Sequence, residues 1–94
     1  MQKYRVDLEK VSHLFEKKLP RVIISKIYSW VLRVEMRGMA ETRKILSLHD
    51  EPLKGERKNQ RSIRLNKAYR LIYIEEPGHL IVIVKVIEVN KHEY

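Results

Sequence analysis

The chain has 94 residues, a formal net charge of +8 and no cysteine. That length supplies one domain with one modest core, and the missing cysteine excludes a disulfide scaffold and any cysteine-ligated zinc site. So large a positive surplus on so small a chain points to an anionic partner, most commonly nucleic acid, although an acidic protein or an anionic membrane surface fits the same number. Lys3, Arg5, Asp7, Glu9 and Lys10 are mixed through the first ten residues, unlike a signal peptide. The longest apolar run, residues 80–84, is far short of the roughly 20 residues of a membrane span. A soluble cytoplasmic protein, with residues 1–94 as a single domain, is expected.

In chain order, Tyr4, Val6 and Leu8 alternate with Lys3, Arg5 and Asp7, the period of a half-buried strand, although a helix could also begin here. From Glu9 the period changes, and Val11, Leu14, Phe15 and Lys18 follow one helical face until Pro20. Pro20 suits the first position of a second helix, whose stripe is Ile23, Ile27, Trp30, Val31 and Val34, widened by Ile24, Tyr28 and Leu32. Its aromatics read as core. Gly38 is a stop signal, with another turn or two possible over residues 39–45.

Three strands follow a loop holding Pro52 and Gly55. Residues 61–65 alternate, Asn66-Lys67-Ala68 reverses the chain, and residues 69–75 return as the next strand. Glu76-Pro77-Gly78-His79 is turn chemistry, and residues 80–89 are β-branched nearly throughout, as in a strand buried on both faces. If the extended geometry continues, Glu88, Asn90, His92 and Tyr94 share one side, and His92 and Tyr94 reach a sheet edge or cleft.

The chemistry concentrates in residues 49–70. Residues 54–70 carry Lys54, Arg57, Lys58, Arg61, Arg64, Lys67 and Arg70 against one acid, Glu56, a pattern for holding phosphates. His49, Asp50 and Glu51 precede it and can move protons. Each residue has an ordinary reading as well: Glu51 as a loop carboxylate paired with Lys54, Arg64 and Arg70 as solvated strand residues, His92 as part of a silent terminus. His13 and His79 read as surface residues. No Gly-rich phosphate loop, metal-ligand spacing or nucleophile elbow is present.

The order of elements, together with Glu51-Pro52-Leu53-Lys54, Tyr69-Arg70-Leu71-Ile72-Tyr73 and a chain end holding His92 and Tyr94, resembles the RelE/ParE superfamily of type II toxin-antitoxin toxins. The wording is nearest the YoeB-type and HigB-type messenger RNA interferases, and it covers roughly the C-terminal half. In the YoeB pattern His directly precedes the final Tyr, whereas here Glu93 intervenes. The resemblance implies an α+β fold, a small twisted antiparallel sheet with two N-terminal helices packed on one face. It also implies an endoribonuclease that cuts messenger RNA on the ribosome without metal or cofactor and is neutralised by a cognate antitoxin, in a hetero-oligomer with it.

In that reading the RNA 2′-hydroxyl is the nucleophile, Glu51 the base, Arg70 the charge partner of the phosphorane and His92 the acid. Tyr94 stacks on a base or positions a phosphate, and His49 is a second candidate acid or base. Lys54, Arg57, Lys58, Arg61 and Arg64 bind RNA. The alternative within the superfamily is a ParE-like toxin that inhibits DNA gyrase without cutting anything.

Overall fold

The computed structural model of the chain describes residues 2–16 and 18–91. Strand β1 (Lys3–Asp7) leads to one helix, α1 (Arg21–Arg43), and then to strands β2 (Glu51–Pro52), β3 (Arg61–Arg64), β4 (Tyr69–Glu76) and β5 (Ile81–Lys91). The sheet order is β1-β5-β4-β3-β2. β1 runs parallel to β5 and every other neighbouring pair is antiparallel, so the sheet is mixed rather than purely antiparallel.

The expected first helix does not form. Ser12–Leu14 is one 3₁₀ turn, held by i→i+3 bonds such as Leu14 N–H to Val11 O and Phe15 N–H to Ser12 O. Spacing of 11, 14 and 15 satisfies either geometry, and between a strand end and Pro20 there is too little chain to repay the cost of nucleating a separate helix. Val11 is still buried, so its apolar signal was real although the element was not. One long helix therefore covers the sheet instead of two.

Pro20 is the N-cap of α1. Ile23, Ile27, Trp30 and Val34 are buried at 3.6-residue spacing against Ile63, Leu65, Leu71, Tyr73, Val84, Val86 and Val89 of the sheet. The Trp30 and Tyr73 rings lie 5.4 Å apart at the centre of this layer. Leu32 is exposed and does not widen the buried stripe, and Tyr28, half exposed, sets its ring edge-on against Phe15, which packs on the core. Gly38 interrupts α1 with φ 82°, and the helical turn resumes at Met39 and Thr42, both buried. A Cβ at Gly38 would meet the Tyr4 ring at 3.2 Å, so close packing on β1 and the left-handed backbone both require glycine.

Strand β5 is buried on one face and half-covered on the other, not buried on both. A bulge opposite Ile72 and Tyr73 leaves Ile87 as an extra residue, which lets Val86 and Val89 both face the helix. The β3–β4 turn is shaped by Asn66, whose Oδ1 accepts the N–H groups of Ala68 and Tyr69 at 2.8 Å each.

Candidate nucleic-acid interface

Residues 49–51 are sorted by the backbone. His49 takes a left-handed conformation, φ 46° and ψ 52°, at the end of the 3₁₀ turn Leu46–Leu48. Asp50 turns inward, with its side chain only 1% exposed: Arg61 Nε donates to Oδ1 at 2.6 Å and the Tyr73 hydroxyl donates to Oδ2 at 2.5 Å. Glu51 then emerges exposed on β2 and takes part in none of the ion pairs among the described residues. The buried Asp50 thus anchors the strand from which Glu51 projects.

The anchor extends beneath the sheet edge. Arg43 donates from Nε to the Tyr73 oxygen at 3.4 Å and pairs through Nη2 with Glu75 at 2.9 Å. Burial opposes the Arg43 charge, but Tyr73 and Glu75 outweigh it and hold its pKa above the ordinary arginine value. Burial, and then the bond to Asp50, raise the Tyr73 phenol well above its usual pKa.

The opposite, open face carries the other residues. Glu51 is in register with Ser62, Ser62 with Ile72, and Ile72 with Glu88; one step along, Arg64 is in register with Arg70 and Arg70 with Asn90. Two interstrand steps and one two-residue step put the Glu51 and Arg70 backbones about 12 Å apart on this face. Arg70 is half-buried in a cleft of about 550 Å³, which Lys54, Arg57, Asn90 and Lys91 also line. Arg70 forms no ion pair among the described residues.

The expected RNA-binding cations separate into groups. Lys54 lines the cleft, and Lys58 is exposed on the neighbouring loop. Arg57 also lines it but donates to Glu88 Oε1 and Gln60 Oε1, both at 2.6 Å, and so ties its loop to β5. Arg61 is committed to Asp50, below the open face. Arg64, the register partner of Arg70, is exposed at the end of β3 and borders a second depression, which His49 lines; His49 does not line the Arg70 cleft. His92 and Tyr94 lie outside the described residues. Asn90 and Lys91 were missed as cleft residues; the strand parity that groups Asn90 with Glu88 was the signal for the first.

This fold is that of the YoeB, ParE and YafQ toxins. The chain is similar to a YoeB/ParE toxin from Agrobacterium tumefaciens over 98% of its own length and 100% of that chain, with TM-score 0.68 and 19% identity. It is similar to a chain of the YoeB-YefM complex from Staphylococcus aureus over 99% of each, with TM-score 0.63 and 16% identity. In the E. coli DinJ-YafQ toxin-antitoxin complex it matches over 97% of its length and 92% of that chain, with TM-score 0.59 and 14% identity. No family model and no curated protein matches the sequence. Among the described residues, no helix is long and apolar enough to cross a membrane.

Proposed function

We propose that the protein is the toxin of a type II toxin-antitoxin module, a ribosome-dependent endoribonuclease that cuts messenger RNA by attack of its own 2′-hydroxyl. The observation that supports this is the placement of Arg70, half-buried in a cationic cleft without an ion-pair partner among the described residues, with the exposed Glu51 carboxylate on the same sheet face. Because RNA carries its nucleophile, the protein must supply a base, an acid and charge stabilisation. Glu51 accepts the 2′-hydroxyl proton. The Arg70 guanidinium neutralises charge developing on the phosphorane, where a fixed donor fork acts most strongly in a partly desolvated cleft. His92 protonates the departing 5′-oxygen, and Tyr94 positions a base or phosphate. Ribosome and message are then the polyanionic partners, and a cognate antitoxin is the protein partner.

The test is cleavage of message on programmed ribosomes. Products ending in a cyclic phosphate and a 5′-hydroxyl are expected, and intact message would overturn the reading. Binding should also depend steeply on salt. Replacing Lys54 and Lys58 with Ala should flatten the log-log slope by about 1.5 units, near the 0.7–0.9 per phosphate contact expected for RNA and DNA. An unchanged slope would put the ribosome contact elsewhere.

A further inference from the structure

Beside the cleft that Lys54, Arg57, Arg70 and Lys91 line stands an acid, Glu88. It lies on β5, two residues before Asn90, the register partner of Arg70. One interstrand step and one two-residue step put its backbone about 8 Å from that of Arg70, closer than the roughly 12 Å to Glu51. Each of its oxygens already has a donor: Arg57 Nη2 donates to Oε1 and Asn90 Nδ2 to Oε2, both at 2.6 Å. Glu51 has no ion pair among the described residues, so the base stays at Glu51 and Glu88 has another task.

Arg57 indicates what that task is. Its Nε donates to Gln60 Oε1 at 2.6 Å and its Nη2 to Glu88, while Nη1 makes no hydrogen bond among the described residues. The backbone is fixed as well: Arg57 ends the 3₁₀ turn Gly55–Arg57, and its carbonyl accepts the Gln60 N–H at 2.9 Å. Moving this side chain breaks the Gln60 and Glu88 bonds together, so Arg57 is a braced donor rather than an arm that swings out to message. A free arginine gives up rotamer freedom each time it takes a phosphate, whereas a braced one has given it up on folding. The pair is 41% and 37% exposed, too open to add much stability, so its value is geometric. We propose that Glu88 is a positioning residue: it holds Arg57 so that Nη1 donates to a message phosphate beside Arg70, and Asn90 steadies the carboxylate from its other oxygen. This rests on the nuclease reading above.

The experiment follows single-turnover cleavage on programmed ribosomes, reading the rate at saturating toxin separately from half-saturation, together with the salt slope of ribosome binding. Glu88→Ala should lower the saturated rate by about tenfold or more, the scale of a misplaced group beside a reacting centre, with the melting midpoint near the parent's. Half-saturation should not weaken, and the salt slope should steepen by about 0.7, because Arg57, its charge no longer offset, becomes a full phosphate contact. Arg57→Ala should lose a similar factor, and the double variant should fall no more than about threefold below the worse single one, since the two residues act as a unit. Glu88→Gln keeps an oxygen for Arg57 and should recover over half of the loss on a logarithmic scale. A Glu88→Ala protein that cleaves as fast as the parent or faster would overturn the proposal, since Glu88 would then only compete with message for Arg57. So would single losses that multiply in the double variant, or a rate loss that follows a lower melting midpoint. A parent that leaves message whole overturns the nuclease reading and this proposal with it; failure of this proposal alone is told apart because the parent then still cuts.

Discussion

Arg70→Ala should lower single-turnover cleavage on programmed ribosomes by at least ~100-fold, the usual scale for removing a positioned transition-state charge partner. The side chain is half-buried and makes no ion pair among the described residues, so its loss breaks no network and stability should change little. Ribosome affinity should fall by no more than one phosphate contact's worth, because the charge is needed as the phosphorane forms rather than for docking. Glu51→Gln keeps the shape of the candidate base and removes its proton acceptor, and it should produce a loss of the same order. His92→Ala tests the acid; if it cleaves like the parent while His49→Ala is dead, the titratable group belongs to the loop and message must approach from the helix side. If the parent arrests growth while ribosome-bound message stays whole, gyrase inhibition becomes the reading to assay.

What could be read in the sequence followed from local periodicity. The α1 stripe, the β3–β4 pair and the turn at Asn66 were legible because burial repeats at 3.6 or 2 residues and Asn66 bonds its own backbone. The supposed first helix failed because three apolar residues at 11, 14 and 15 fit a single 3₁₀ turn equally well. The parallel pairing of β1 with β5 joins residues almost eighty positions apart, for instance Lys3 with Ile81, and no local pattern encodes it. The bulge at Ile87 defeats any period-2 count across β5. Within the candidate site, basic composition found the stretch but not the division of labour. Arg57 and Arg61 were both expected to bind RNA, yet Glu88 and Asp50 take them in two directions, while Arg64 stays exposed at the end of β3.

Arg61 is the sharpest case, and its replacement should be felt as lost stability rather than weakened RNA binding. Its partner Asp50 is 1% exposed, so Arg61→Ala strands a buried carboxylate with the Tyr73 hydroxyl as its remaining side-chain donor. Breaking such a pair from one side costs about 3 kcal/mol, a large share of the roughly 5–15 kcal/mol that holds a small domain together. For a chain of this size that lowers the melting midpoint by roughly 12 °C or more. Adding Asp50→Asn should recover over half of the loss, since the amide keeps the shape without the stranded charge. The salt slope of RNA binding, measured below the midpoint, should stay at the parent value. A loss under about 1 kcal/mol, or a slope flattened by a full unit, would return Arg61 to the RNA-binding set. The same network gives an alkaline signature. The raised phenol of Tyr73 keeps its proton in the folded state above the unfolded value near 10, so its contribution is complete below about pH 10 and is lost as pH rises further. Tyr73→Phe should unfold without that alkaline limb, because the group that releases the proton on unfolding is gone.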